Sequence, residues 1–218
     1  ELAKNLGNKE NYKNITGLGF KDENGQIVIN QRRNFGDMDE YLIDWSLVNI
    51  EDYIVPYFSG KYKRTLMVVT SRGCPFNCQF CYNQIFNNRR WRAHSAEKLI
   101  ANLKPVIEEH KIDAIRFLDD NFFVNKERAF TIARGLGLPF WAESRVEFVD
   151  EKFVADLRET KCQEIMFGFE SGSDRILKEV VRKGITVADT IRAVTLLKNS
   201  GIMASCSIIF GLPTEMEE

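Results

Sequence analysis

Cys74, Cys78 and Cys81 stand in the run Ser71-Arg-Gly-Cys74-Pro-Phe-Asn-Cys78-Gln-Phe-Cys81-Tyr, and they are the residues best equipped for chemistry in this chain. Three thiols in one short stretch can wrap one corner of a metal centre. They fall one ligand short of a closed tetrahedral site. A [4Fe–4S] cubane held by three thiolates keeps one iron open, which is a reactive position rather than a structural one.

Other readings of the same cysteines stay open at this point. Spacings of four and three would align them on one stripe of a helix, where free Cys often packs as a small hydrophobe. Gly73, Pro75 and Asn77 lie in or beside that stripe and favour a loop. A structural zinc site needs a fourth ligand, for which His94, His110 and Cys162 are the nearest candidates. Disulfides fit poorly, because five cysteines leave an odd one and nothing resembles a secretory signal. Cys162 and Cys206 sit in apolar surroundings and read as packing residues.

The elements that would position the cysteines follow a regular order from about residue 66. Leu66 to Val69 is an apolar run that ends at the cysteine loop. A helix pattern from Ser95 places Leu99, Ile100, Leu103 and Ile107 on one face, with Pro105 expected to kink it. Ala114 to Leu118, Phe140 to Ala142, Ile165 to Phe169 and Ser207 to Phe210 read as further strands. Helices separate them, capped by Asn125, Asp150 and the pair Thr186 and Asp189. Apolar strands alternating with helices call for a parallel sheet with right-handed crossovers, either doubly wound or a barrel. Both folds put ligands at the carboxyl ends of strands. The cysteines, Asp119 and Asp120, Glu143 with Arg145, and Glu170 all sit at such ends and must converge on one mouth.

The pattern Cys-x3-Cys-x2-Cys, with aromatic Phe80 before the last cysteine, resembles the signature of radical S-adenosylmethionine enzymes. That resemblance implies a partial (β/α) barrel, normally of six strands and here truncated after about five. The sixth strand would lie beyond Glu218. It further implies that Cys74, Cys78 and Cys81 ligate the cluster, whose open iron is chelated by S-adenosylmethionine. Reductive cleavage then yields a 5′-deoxyadenosyl radical. A reductant such as flavodoxin or ferredoxin, an unknown small-molecule substrate and a cytoplasmic setting belong to the same expectation.

The cofactor-binding residues are carried over from the same family. Phe80 is expected near the adenine. Glu170, in Phe169-Glu170-Ser-Gly-Ser-Asp174, matches a position that contacts S-adenosylmethionine, and Arg182, twelve residues on, one that pairs with its carboxylate. A guanidinium suits that task because its planar fork can grip a carboxylate twice. Glu143 matches an acidic residue at the third strand end of some relatives. Ile209 and Gly211 fall in a segment that lines the adenine. Asp119 occupies the second strand end, where many relatives carry a glycine-rich segment that meets the methionine amino group. This chain lacks those glycines. The aromatics Phe117, Phe122, Phe123, Phe167 and Phe169 read as core.

Residues 1–62 differ in character. Two short runs flank Asp22-Glu-Asn-Gly25 as a hairpin, and the stretch from Met38 to Tyr62 reads as a linker with scattered aromatic anchors. This layout resembles the C-terminal remnant of a cobalamin-binding-type domain, with the radical barrel over 63–218. Cobalamin is implied only by that analogy, since no Asp-x-His-x-x-Gly motif occurs. The expected enzyme is of the cobalamin-associated branch, acting by methylation, cyclisation or oxidation. A tRNA methylthiotransferase and a zinc-stabilised binding module without catalysis are the alternatives. With 30 basic and 31 acidic residues, no polyanion partner is advertised, and no apolar run is long enough for a membrane span. An unpaired fifth strand should leave Phe210 and Leu212 short of packing partners.

Overall fold

The computed structural model describes residues 1–57 and 60–216. By compactness the chain divides into two units, Glu1–Asp37 and Met38–Glu218. In the first, strands β1 (Gly19–Lys21) and β2 (Ile27–Ile29) pair as the antiparallel hairpin expected around Asp22. The Asp22 carboxylate accepts from the Asn24 and Gln26 backbone N–H groups at 2.9 and 2.8 Å, an Asx-type turn, and Gly25 supplies the left-handed residue with φ 77°.

The second unit begins earlier than the boundary at residue 62. Residues expected as linker fold onto the sheet: Trp45 Nε1 donates to Asn102 at 2.8 Å, and strand β3 (Ile54–Tyr57) pairs antiparallel with β4 (Tyr62–Val68). Burial of Ile50 and packing of Trp45 and Ile54 on the core supply the driving force.

A two-residue ribbon of β5 (Ser71–Arg72) and β6 (Arg92–Ala93) follows. The remaining strands are β7 (Ala114–Phe117), β8 (Phe140–Ser144), β9 (Cys162–Glu170) and β10 (Met203–Ile208). Helices α1 (Ala96–Glu109), α2 (Lys126–Leu136), α3 (Glu151–Glu159) and α5 (Val187–Asn199) alternate with them. Between β9 and α5, α4 (Asp174–Ile176) runs into a π-helical stretch, Leu177–Val181, that periodicity did not foreshadow. Helix α1 continues through Pro105 without interruption. Asn125, Asp150 and Thr186 cap α2, α3 and α5, the last through a capping box with Asp189.

The main sheet has six strands in the order β10-β9-β8-β7-β4-β3, of which β4 to β10 are parallel neighbours. The order never reverses. A doubly wound sheet needs a reversal to place helices on both faces, so the winding here is single and the sheet curls as a half-barrel. Leu66, Val68, Ile115, Phe117, Phe140, Ala142, Ile165 and Phe167 project to one face, where they form the core with Leu103, Phe130, Phe153, Leu157 and Leu197 from the helices. The other face is mixed, with Arg116, Glu143 and Glu164 set among Met67, Trp141 and Met166 at the alternate strand positions. Its floor is closed from β3. Tyr57 stacks on Trp141 at 3.6 Å between ring centroids and donates its hydroxyl to buried Glu164 at 2.6 Å.

Candidate active site

The cysteine loop springs from the carboxyl end of β4 and is pinned at its base by the two aspartates that end β7. Asp119 accepts from the Thr70 N–H, the Thr70 hydroxyl and the Ser71 hydroxyl, each at 2.6 Å. Asp120 accepts from the Gly73 N–H at 2.8 Å and the Tyr82 hydroxyl at 2.6 Å. The ribbon of β5 and β6 closes the loop, and Arg128 bonds the carbonyls of His94 and Thr70 at 2.6 and 2.9 Å from behind. Gly73 is required where it stands. Its φ is +85°, and a Cβ there would lie 2.1 Å from the Arg90 carbonyl oxygen.

Inside the loop, all three cysteines face one cleft of about 380 Å³ at the carboxyl ends of the parallel strands. Phe80, Asn83, Asp120, Glu143, Ser144, Arg145, Met166, Gly168, Glu170, Lys183, Ser207 and Ile209 complete its lining. Burial pushes the Cys74 thiol up, partly offset by the Phe76 N–H and the Arg145 guanidinium. Burial likewise raises Glu143; Arg116 opposes the shift, and Asp120 and Asp119 add to it.

Glu170 and Lys183 form an ion pair at 2.7 Å, both side chains nearly inaccessible. Gly168 makes room for it, since a Cβ there would sit 2.0 Å from Glu170 Oε1 and 2.3 Å from Lys183 Nζ. Glu170 holds φ 69°, an uncommon conformation for a side chain of its size and one that turns it back toward the cleft mouth.

Of the residues singled out from the sequence, Cys74, Cys78, Cys81, Phe80, Glu143, Glu170 and Ile209 are brought together on the cleft. Asp119, Arg182 and Gly211 do not line it. Asp119 is 1% exposed and both its oxygens are taken by Thr70 and Ser71, so it staples the loop, and Asp120 is the member of the pair that faces the cleft. Arg182 is exposed in a left-handed conformation with φ 52°, and the cation beside Glu170 is its neighbour Lys183. Gly211 donates its N–H to Glu215 at 2.6 Å. Cys162 is buried as expected, whereas Cys206 is exposed because β10 is an edge strand. Arg145 pairs with Glu147 at 2.5 Å and not with Glu143.

Sequence reasoning passed over Ser144 and Lys183. Ser144 is buried on the cleft wall, and among the described residues its hydroxyl has no hydrogen-bond partner. Adjacency to Glu143 was the only signal available for it. A carboxylate or amino ligand entering the cleft would satisfy that hydroxyl.

Three thiols, one unsatisfied hydroxyl and one buried ion pair fit an iron–sulfur cluster with a polar cofactor beside it. Among the described residues, no three His, Cys, Asp or Glu side chains are grouped to hold a single metal ion. A cubane presents its irons at separate corners, so its thiolates stand wider apart than those around one ion. His94, His110 and Cys162 all lie off the cleft lining, so a tetrahedral zinc site finds no fourth ligand among them.

Residues 68–218 match the Radical SAM superfamily. The chain is similar to an uncharacterized methyltransferase of Pyrococcus horikoshii, at 37% identity over all of this chain and 48% of that protein. It is also similar to the anaerobic magnesium-protoporphyrin IX monomethyl ester cyclase of Rubrivivax gelatinosus, at 26% identity over 94% of this chain and 37% of that one. Among solved structures, the apo form of the cobalamin-dependent S-adenosylmethionine radical enzyme OxsB superposes with a TM-score of 0.73 at 25% identity, over 89% of this chain and 29% of the other. The chain thus spans about half, or less, of the length of these curated relatives. With the match running from the last residue of β4 to the end of the chain, and the loop it contains carrying the three converging thiols, this protein belongs to the radical S-adenosylmethionine superfamily, whose members use a [4Fe–4S] cluster and S-adenosylmethionine.

Proposed function

We propose that this chain is the cluster- and cofactor-binding barrel of a radical enzyme acting on a small-molecule substrate, with methyl transfer as its foremost reaction. The observation that carries the reading is the convergence of Cys74, Cys78 and Cys81 with Glu143, Ser144, Glu170 and Lys183 on one cleft. When bound and reduced by one electron, the cluster and S-adenosylmethionine supply a 5′-deoxyadenosyl radical for hydrogen abstraction. The chain's own part is positioning. Three thiolates hold three corners of the cluster. Ser144 and the Glu170–Lys183 pair offer a donor, an acceptor and a cation to the amino-acid end of the cofactor. Phe80, Met166 and Ile209 give apolar walls to the cleft.

Methyl transfer is supported by the name of the Pyrococcus horikoshii relative, and cyclisation by that of the Rubrivivax gelatinosus protein. Cobalamin as a second cofactor is supported by the likeness to OxsB, with residues 1–37 read as the end of a cobalamin-binding-type domain. A flavodoxin or ferredoxin as reductant and a cytoplasmic setting complete the proposal. No helix among the described residues is long and apolar enough to cross a membrane.

Anaerobic purification and reconstitution test the reading. Wild-type protein should carry about four irons with matching sulfide per chain and cleave S-adenosylmethionine reductively. Replacing Cys74, Cys78 or Cys81 by Ala should abolish both, and Cys162→Ser should leave both intact. Zinc in place of iron, or full iron in the Cys78→Ala protein, would overturn the proposal.

A further inference from the structure

Arg145 is buried against the cysteine loop in a way that a stray ion pair does not explain. The residue is 6% exposed. Its Nη1 donates to Cys78 Sγ at 3.3 Å, its Nη2 to the Lys183 carbonyl at 2.5 Å, and its Nε to Glu147 at 2.5 Å. The guanidinium carbon lies 3.9 Å from the centroid of the Phe76 ring, which covers one of its faces. Each of the three guanidinium nitrogens therefore donates a hydrogen bond, and one of these ends on a sulfur of the cysteine motif.

We propose that Arg145 sets the reduction potential of the cluster held by Cys74, Cys78 and Cys81, by donating a charge-assisted N–H···S bond to the Cys78 thiolate. This inference rests on the cluster reading of the cleft. A cysteine that ligates iron is a thiolate, so the contact to Cys78 becomes a cation-to-anion hydrogen bond. Reduction adds one negative charge to a centre already made anionic by its thiolates. A fixed cation at one thiolate stabilises the reduced form more than the oxidised form and raises the potential. Burial strengthens the effect, because little water screens the pair.

Glu147 is the built-in counterweight. Its carboxylate, about one-third accessible, neutralises part of the guanidinium charge from the side away from Cys78. The potential is accordingly the balance of one buried cation and one partly accessible anion. Arg145 also ties the loop to the segment that carries Lys183, which is a positioning role. Only the potential separates the electrostatic role from that mechanical one.

The test is an anaerobic redox titration of reconstituted protein, followed by the paramagnetic resonance of the reduced cluster, with iron and sulfide measured on each sample. Arg145→Met removes the charge at similar length and should move the potential to more negative values. Arg145→Lys keeps a charge and should recover part of the shift. Glu147→Gln keeps an acceptor for Nε, removes the counter-charge and should move the potential the opposite way, to less negative values. An unmoved potential in Arg145→Met at full iron content overturns the proposal. If Arg145→Met loses its cluster, Glu147→Gln decides alone: a positive shift supports the proposal, and no shift or a negative one overturns it. Wild-type protein that forms no iron–sulfur cluster would instead remove the cluster reading itself, which iron and sulfide analysis shows before any potential is measured.

Discussion

Single residues at the cleft carry energies large enough to measure. The Glu170–Lys183 pair is buried on both sides, so removing one partner leaves an uncompensated charge and should cost about 3–5 kcal/mol. Lys183→Met is therefore expected to lower the denaturation midpoint of the protein sharply, whereas Arg182→Met, on an exposed side chain, should stay within about 0.5 kcal/mol of wild type. Replacing both partners, as Glu170→Gln with Lys183→Met, should restore part of the loss, because a missing pair is cheaper than half of one. Urea unfolding of the four proteins without cofactor checks this. Equal effects of the Lys183 and Arg182 substitutions would show that the pair is not formed in solution. The resemblance pointed to Arg182 by its place twelve residues after Glu170. The left-handed turn that ends the π-helical stretch leaves Arg182 exposed and Lys183 lining the cleft. Such a one-residue change of direction cannot be read from spacing.

At the scale of elements, strand β3 is the part least legible in the sequence and the one that closes the barrel floor. Its four residues fall in the stretch that reads as a linker, and one of them, Pro56, cannot donate to a central ladder. The strand is tolerated because it lies at the sheet edge, with its register shifting between Val55 and Tyr57. Tyr57 anchors it. Its hydroxyl is pushed up to about 12 by burial and by its bond to Glu164. The sign follows from linkage: a phenol whose folded value lies above the free value of about 10 contributes stability that is complete below that value. The contribution is lost as pH rises through about 12. Ultraviolet titration should show a late tyrosinate phase, shared with Tyr82 whose hydroxyl is also pushed up to about 12, and that phase should be smaller in Tyr57→Phe. The stability difference between the two proteins should shrink across the same window. Superimposable titrations would remove Tyr57 from the floor. The same scale explains the aspartates. Asp119 and Asp120 were legible as a polar strand end but not as a staple, because the loop they hold lies nearly fifty residues away in sequence.

For the whole molecule, a sheet that does not close leaves β10 at one edge among the described residues. Phe210, just beyond that strand, is 86% exposed, and Ile208 and Met203 are also exposed, while Leu212 is half-buried. Unpaired N–H and C=O groups beside exposed apolar side chains form a template for association between chains. The 218-residue polypeptide should therefore self-associate, and Phe210→Lys should raise its soluble, monomeric fraction at an unchanged melting temperature. Sedimentation at increasing concentration distinguishes the outcomes. Identical association of the two proteins would mean that this edge is not the sticky surface.

A cysteine loop and a parallel sheet with its polar residues at the strand ends were legible in the sequence. Gly73 and Pro75 favour a loop for the three cysteines, and apolar strands alternating with capped helices call for a parallel sheet. The choice of an iron–sulfur cluster and of a barrel came from the resemblance to radical S-adenosylmethionine enzymes. Glu143, Glu170 and the cysteines share a cleft because each ends or follows a strand, and strand ends meet at one mouth in this topology. Packing in the folded chain sets which member of each neighbouring pair faces that mouth. Asp120 faces it while Asp119 holds the loop, and Lys183 faces it while Arg182 does not. It also decided that Arg145 lies against Cys78. These choices depend on strand register, on a left-handed turn and on the packing of Phe76. Each of them is set by contacts between residues far apart in the chain.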